Sequence, residues 1–280
     1  MMSLECAWNA LLTILPPWLR SEMDSQTQNK LQEIRLRRGK PAMLQLSCGV
    51  RELSRMIDDA DLQYVINMAC KFSPWTATTM AQGYVTAPGG HRIGFCGEAI
   101  MHNGIMKGIG SASSLNIRVA RDFPGVCGNL WLRNEDMLIL GPPGSGKTTL
   151  LRDIIRQRSQ RECISVVDER GEIFPSAASF TRGSNIDVLT GCPKALGTLT
   201  VLRTMSPDCI AVDEITAAED CEALSHVGWC GVSLLATAHA ASVSDLRARP
   251  IYRPLIERGL FKTAVVLKKD KSWHIERILQ

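Results

Sequence analysis

The stretch LILGPPGSGKTTLLRDII, residues 138–155, decides the fold. Gly141, Gly146, Lys147 and Thr148 satisfy the spacing G-x-x-x-x-G-K-[ST], which chance places in about one chain of this length per hundred. The flanks narrow the reading further. Met137 to Leu140 is a short uninterrupted apolar run, as in a buried strand, and Thr149 to Ile155 carries apolar residues at helical spacing. Strand, glycine loop and helix thus follow in the order a phosphate-binding loop requires. The segment Gly141, Pro142, Pro143, Gly144, Ser145, Gly146, Lys147, Thr148 and Thr149 is therefore read as a loop that binds nucleotide phosphates. Its backbone N–H groups converge on phosphate oxygens and the helix N-terminus adds a favourable dipole. Lys147 is expected to reach the β and γ phosphates, and the Thr148 hydroxyl to ligate Mg²⁺.

Downstream, DCIAVDEI (208–215) is an apolar strand ending in Asp213 and Glu214. Asp213 suits a Mg²⁺ held through water, and Glu214, facing the γ-phosphate, suits polarisation of an attacking water. Alone, such a pair is usually a turn or a helix start; the glycine loop upstream favours the functional reading. Between the two lies a strand-like piece, Cys163 to Val167, followed by DERGEI. Asp168, Glu169 and Glu172 are then either a second set of water-activating or metal-positioning groups, or a solvated turn. Like charges near a triphosphate are costly unless Mg²⁺ or arginines offset them. A fourth strand, Ser233 to Ala236, leads into ATAHAAS. Thr237 and His239 at its tip are placed to sense a γ-phosphate, although a lone histidine is as readily structural.

With helices expected at Thr148 to Arg156, about Pro193 to Met205, and Thr216 to Val227, the second half alternates strand and helix. Such alternation predicts a parallel sheet with helices on both faces and ligands at the C-terminal strand ends. The tail FKTAVVLKKDKSWHIERILQ reads as a hairpin turning near Asp270 and Lys271. The first part mixes a helix over 59–71 with short strands near 34–37, 43–46 and 91–96, an α+β pattern. Residues 117–135, with Pro124 and Gly125, read as a hinge. The expected organisation is an N-terminal α+β domain over 1–116, a linker over 117–135 and a P-loop ATPase domain over 136–280.

Composition bounds the function. The 280 residues are 45% hydrophobic and 21% charged, enough for a substantial core, and a net charge of +4 does not announce a nucleic-acid or membrane surface. Ten cysteines without a C-x-x-C pair argue against a zinc knuckle or dithiol centre and for a reducing cytosol. MMSLECAWNALLTILPPWLR lacks a basic lead and is broken by Pro16 and Pro17, so it reads as an amphipathic helix packed on its own domain rather than a signal peptide. No run reaches the length of a membrane span.

The four segments GPPGSGKTT, VVDERGEI, VLRTMSPDCIAVDEI and GVSLLATAHAAS together resemble the secretion ATPases of type II and type IV systems. EIRLRRGKP, AQGYVTAPGGHRIGFCGE and SASSLNIRVARDFPG are similar to a sporulation-associated branch of those ATPases, so the likeness covers most of the chain. The resemblance implies a RecA-like domain binding ATP and Mg²⁺ at Gly141 through Thr149, an acidic box at Asp168 to Glu172, a catalytic glutamate at Glu214 and a histidine box at His239. Those ATPases usually carry glycine before that glutamate, where this chain has Asp213. Which of Glu214, Glu169 and Glu172 activates water therefore stays open. The resemblance further implies a homo-hexameric ring, cytoplasmic and peripheral at a membrane channel, with channel proteins as partners. In a ring a neighbour can donate an arginine to the transferring phosphate. Arg118, Arg121, Arg182 and Arg203 are candidates, each singly also readable as a solvated or structural residue. Two competitors remain: a nucleic-acid-stimulated translocase and a nucleotide-dependent switch with little hydrolysis. The run Arg35, Arg37, Arg38 and Lys40 alternates with Ile34 and Leu36, which a strand with one wet face explains, so nucleic acid is not the expected partner.

Overall fold

The computed structural model describes residues 4–70, 83–132, 135–175 and 180–278. Lys71, at the end of the expected first-domain helix, and residues 133 and 134 of the expected linker lie outside this set. The chain forms two compact units, one running to Arg121 together with Pro175, the other from Asp122 onward.

The first unit opens with helices α1 (Leu4–Ile14), α2 (Pro17–Ser21) and α3 (Ser25–Lys30). Trp8, Leu11 and Ile14 bury one face of α1 in the unit's own core, as the amphipathic spacing requires, and Leu15 just after the helix joins them. Strands β1 (Leu31–Arg37), β2 (Pro41–Leu46), β3 (Gly49–Met56), β4 (Tyr84–Thr86), β5 (Arg92–His102) and β6 (Ile105–Arg118) form an antiparallel sheet in the order β3-β2-β1-β6-β5-β4. Helix α4 (Asp59–Cys70) contributes Leu62, Val65 and Ala69 to its buried face. In β1, Ile34 and Leu36 are buried while Arg35 and Arg37 are exposed, the one-wet-face strand expected from alternation. The β5–β6 hairpin runs well past Cys96, and its outer part is exposed. Cross-strand pairing rather than burial holds that part, so apolar alternation does not mark it.

The second unit is a seven-stranded sheet in the order β13-β12-β7-β11-β10-β8-β9. Its strands are β7 (Met137–Leu140), β8 (Ile164–Asp168), β9 (Ile186–Thr190), β10 (Cys209–Glu214), β11 (Ser233–Ala238), β12 (Thr263–Leu267) and β13 (Trp273–Arg277). All neighbours are parallel except the β12–β13 hairpin. The helices are α5 (Lys147–Arg158), α6 (Lys194–Thr204), α7 (Ala218–Trp229), α8 (Val243–Ala248) and α9 (Arg253–Glu257). Strand alternation divides the core. Ile139, Ala211 and Leu235 pack on α5 through Leu150, Leu151, Ile154 and Ile155. Leu138, Ile210 and Leu234 face the opposite side, with Val201 of α6 and Leu224 and Val227 of α7. Two packed faces exclude solvent from the middle strands, which read as continuous apolar runs for that reason.

The lead-in between the units is anchored rather than loose. Ile117 and Arg118, expected in the hinge, belong to β6 and pair with Ile34 and Glu33 of β1. Ala120 donates its N–H to His91, and Arg121 donates to the Gln28 and Asn29 carbonyls at 2.6 Å. From the next residue onward the bonds go to α5. Buried Asp153 accepts the N–H groups of Gly125 and Cys127 at 3.0 and 2.8 Å and pairs with Arg156, which also holds Asp122 at 2.7 Å. Removing this carboxylate strands two buried donors and takes from the Arg156 guanidinium one of its two carboxylates, leaving Asp122. Asp153→Ala should cost about 3 kcal/mol of stability in urea denaturation followed by circular dichroism; a loss within experimental error would show that α5 does not hold the lead-in.

Candidate active site

The loop Gly141 to Thr149 leaves the tip of β7, a strand buried at all four residues, and runs into α5, which starts at Lys147. Its glycines are dictated by geometry. Gly146 sits at φ +101°, which L side chains rarely adopt, and a Cβ on Gly141 would lie 2.5 Å from Ser145 Oγ. Lys147 is 6% exposed, donates to the Gly141 and Pro142 carbonyls at 2.9 and 3.3 Å, and lies 4.0 Å from the Glu214 carboxylate. Burial pulls its pKa down and Glu214 opposes that pull. Thr148 and Thr149 occupy the first turn of α5, both half-buried. Ser145 Oγ is buried with no hydrogen-bond partner among the described residues, and a phosphate oxygen is the kind of acceptor such a hydroxyl lacks. The loop therefore fits a nucleotide phosphate by shape and by donors.

Glu214 ends β10, which is not beside β7, because β11 lies between them. Glu214 nevertheless reaches to within 4.0 Å of Lys147 from two strands away. Its other oxygen meets His239 Nδ1 in a close contact. His239 is fixed from behind: its N–H donates to Tyr252 Oη at 3.2 Å, and that hydroxyl lies 3.3 Å from the Ile215 carbonyl. The His239 Nε2 is buried without a partner among the described residues. Thr237, also expected at this strand tip, is buried in β11. Lys147, Glu214 and His239 thus form one chain of polar contacts joining three elements.

Asp213 points into a different cluster. Buried Lys194, at the start of α6, lies 3.0 Å from Asp213, 3.0 Å from Glu169 and 3.9 Å from Asp220. Burial works against the Lys194 charge, but these carboxylates together hold its pKa above the ordinary value. Burial raises the Asp213 pKa to about 6, with Lys194 opposing. Sequence reading named Asp213 and Glu169 and missed Asp220 and the lysine. Its signal was indirect: acids gathered at strand tips demand a cation, and a lysine meets that demand without a motif of its own.

Asp168 is neither a solvated turn residue nor a group exposed to a ligand. It is fully buried and accepts the N–H groups of Glu172, Ile173 and Phe174 at 2.8, 3.0 and 2.8 Å. Burial raises its pKa while these three bonds lower it. Arg152 of α5 closes the same loop from the other side by donating to the Ile173 and Glu172 carbonyls. Burial brings the Arg152 pKa down to about 10, with Asp122 opposing. This frame leaves Glu169 and Glu172 half-exposed on the acidic loop.

The candidate arginines are spread widely. In the first unit, Arg118 is exposed at the end of β6, 3.9 Å from Glu33, whereas Arg121 is committed to the Gln28 and Asn29 carbonyls. In the second unit, Arg182 lies 6.0 Å from the Phe174 ring, and Arg203 is exposed in the last turn of α6. That turn precedes β10, so Arg203 stands at the sheet end opposite the glycine loop. Among the described residues neither Arg182 nor Arg203 forms an ion pair.

Residues 9–278 match the family described as Sporulation stage III, protein AA. The chain belongs to that family. It is 35% identical to the Stage III sporulation protein AA of Bacillus subtilis (strain 168), over 94% of this chain and 92% of that relative. Among solved structures, the Legionella pneumophila ATPase DotB superposes with a TM-score of 0.56 at 18% identity, covering 93% of this chain and 80% of DotB. The pilus retraction motor PilT, with bound ADP, gives a TM-score of 0.56 at 14% identity, covering 95% of this chain and 78% of PilT. The family resemblance read from the sequence and the expected fold class, a P-loop α/β domain after a smaller sheet-containing domain, both stand. No helix among the described residues is long and apolar enough to cross a membrane.

Removing Lys194 leaves the buried carboxylates around it without their cation. Lys194→Met, which keeps the length and loses the charge, should lower stability in urea denaturation by about 3 kcal/mol. A parental midpoint and slope would show that the cluster does not depend on this lysine.

Proposed function

We propose that the protein is a Mg²⁺-dependent ATPase that works as the motor of a secretion-like apparatus in sporulation. The observation that carries this reading is the line Lys147, Glu214 and His239, which joins the phosphate loop to an acidic strand tip and a third strand tip. Lys147 would neutralise the β and γ phosphates, with the N-terminus of α5 and the loop N–H groups adding to the cradle. Glu214, beside the γ-phosphate, would orient and deprotonate the attacking water. His239, bonded to that glutamate and keeping a second ring nitrogen free of protein partners among the described residues, would sense whether the terminal phosphate is present. Glu169 and Glu172 are the other acids near the strand tips, with Glu169 tied to Lys194.

The Thr148 hydroxyl and the Asp213 carboxylate would hold Mg²⁺, a donor set that suits an ion which keeps its waters and leans on substrate phosphates. When bound, the ion would offset phosphate charge and fix the triphosphate. Lys194 would share Asp213 with it, since the ammonium already lies 3.0 Å away.

The partners follow from the same reading. Family membership, together with a fold shared with DotB and PilT, supports a homo-hexameric ring at a membrane channel, in which copies of this chain are each other's first partners. Exposed Arg118, Arg182 and Arg203 are available for insertion into a neighbour's site, whereas Arg121 would first have to give up two carbonyls. ATP hydrolysis would be converted into relative motion of the units around Arg118 to Asn129.

Lys147→Ala should abolish ATP binding, and Glu214→Gln should bind ATP while turnover falls by about 10²-fold or more. Phosphate release measured across protein concentration, with and without single-stranded DNA, tests the whole reading. Specific activity rising with concentration and indifferent to DNA supports a ring motor. Strong stimulation by DNA would favour a translocase instead, and ATP binding to Lys147→Ala at parental affinity would overturn the site.

A further inference from the structure

The turn joining β12 to β13 lies against the glycine loop, and no step above uses it. Register puts it there: Val266 pairs with Leu140, so β12 ends beside Gly141, and the Leu267 carbonyl lies 3.0 Å from where a Gly141 Cβ would sit. The turn is tightly built. Lys268 donates its N–H to Ser272 O at 2.9 Å, and Lys271 donates to Lys268 O at 3.1 Å. Asp270 accepts the N–H and hydroxyl of Ser272 at 2.9 and 2.6 Å. These bonds hold Lys271 at φ +72°, the left-handed region that a long side chain ordinarily avoids. From that position Lys271 crosses the loop. Its Cδ lies 3.8 Å from the place of a Gly146 Cβ, and its ammonium donates to the Gly144 carbonyl.

One exposed ammonium on one carbonyl contributes little to stability, so the contact does not by itself account for the strained backbone that delivers it. The surroundings suggest another role. Glu214 ends β10 and His239 follows β11, both on one flank of β7, where the proposed function puts attack on the terminal phosphate. Lys271 comes from β12, on the other flank. A nucleotide lying along the loop with its γ-phosphate at Glu214 turns its α-phosphate and ribose toward Lys271. We infer that Lys271 is a nucleotide-binding residue, whose ammonium leaves the Gly144 carbonyl to pair with the α-phosphate end of bound ATP or ADP. The inference rests on the ATPase reading and extends its site to a strand on the far side of the loop. Because ATP and ADP share that end, the contribution is equal for both.

Glycine adopts φ +72° without strain, so Lys271→Gly removes the ammonium while keeping or raising the melting temperature. Titrating fluorescent ATP and ADP analogues into the parent, Lys271→Gly and Lys271→Arg separates the outcomes. Lys271→Gly should weaken both nucleotides by about tenfold, as loss of a charge-assisted bond predicts, and Lys271→Arg should retain affinity. Parental affinity in Lys271→Gly overturns the inference. Weakening of ATP alone overturns it too, because it puts the ammonium on the γ-phosphate, and tighter binding would make the contact a block rather than a ligand. A parent that binds neither nucleotide overturns the ATPase reading and this inference together. A parent whose binding needs Lys147 but is matched by Lys271→Gly overturns only the role of Lys271.

Discussion

The site depends on one constraint: a four-residue strand, β7, clamped in parallel register between β11 and β12. Leu140 pairs with Ala238 on one side and Val266 on the other, so three chains leave the sheet at one level. One becomes the glycine loop, one carries His239, and one turns through Lys271. Parallel strands buried on both faces have no freedom to slip, because a one-residue shift would exchange the residues that pack on α5 with those that pack on α6 and α7. The chemistry at the strand tips is therefore held by packing several residues away from it.

Around that edge, burial sets the electrostatic problem. Asp168, Asp213 and Asp220 are each 8% exposed or less, and buried carboxylates persist only where something answers their charge. The answers differ. Asp168 is met by three backbone N–H groups and fastens the acidic loop, Asp213 is met by Lys194, and Asp220 by the Thr216 and Ala217 N–H groups with Lys194 3.9 Å away. Removing one partner from such an arrangement costs more than the pair contributes when intact, because the remaining charge stays buried. The same reasoning separates acids that shape the site from acids available to act in it. Glu214, half-exposed and bonded to a histidine, belongs to the second kind.

Much of this was legible from residue order. The strand, loop and helix of 137–158, the strands at 164, 209 and 233, and the terminal hairpin all carry apolar runs or turn signals that survive without tertiary context. What sequence reading missed shares a physical cause. β3 and β9 are edge strands, and the outer part of β5 and β6 is exposed, so none shows a continuous apolar pattern. β12 was legible as half of a hairpin, but not as the neighbour of β7, because pairing between strands this distant in the chain leaves no local trace. In the site, Lys147 and Glu214 were marked by motifs. Lys194 and Tyr252 were not, since each acts through where the fold delivers it rather than through its neighbours in sequence.

Helix α5 connects the glycine loop to the segment that follows Arg121. Its first residue, Lys147, lies under the phosphate loop, and Asp153 is six residues on, about 9 Å along the axis. At Asp153 and Arg156 the helix grips Gly125, Cys127 and Asp122. These bonds tie the segment after Arg121 to the same helix that begins at the glycine loop. They hold the chain from Asp122 onward, whereas the residue before it, Arg121, is bonded to the first unit. At Arg121 and Asp122 the chain thus passes, between consecutive residues, from bonds with the first unit to bonds with the helix that begins at the glycine loop.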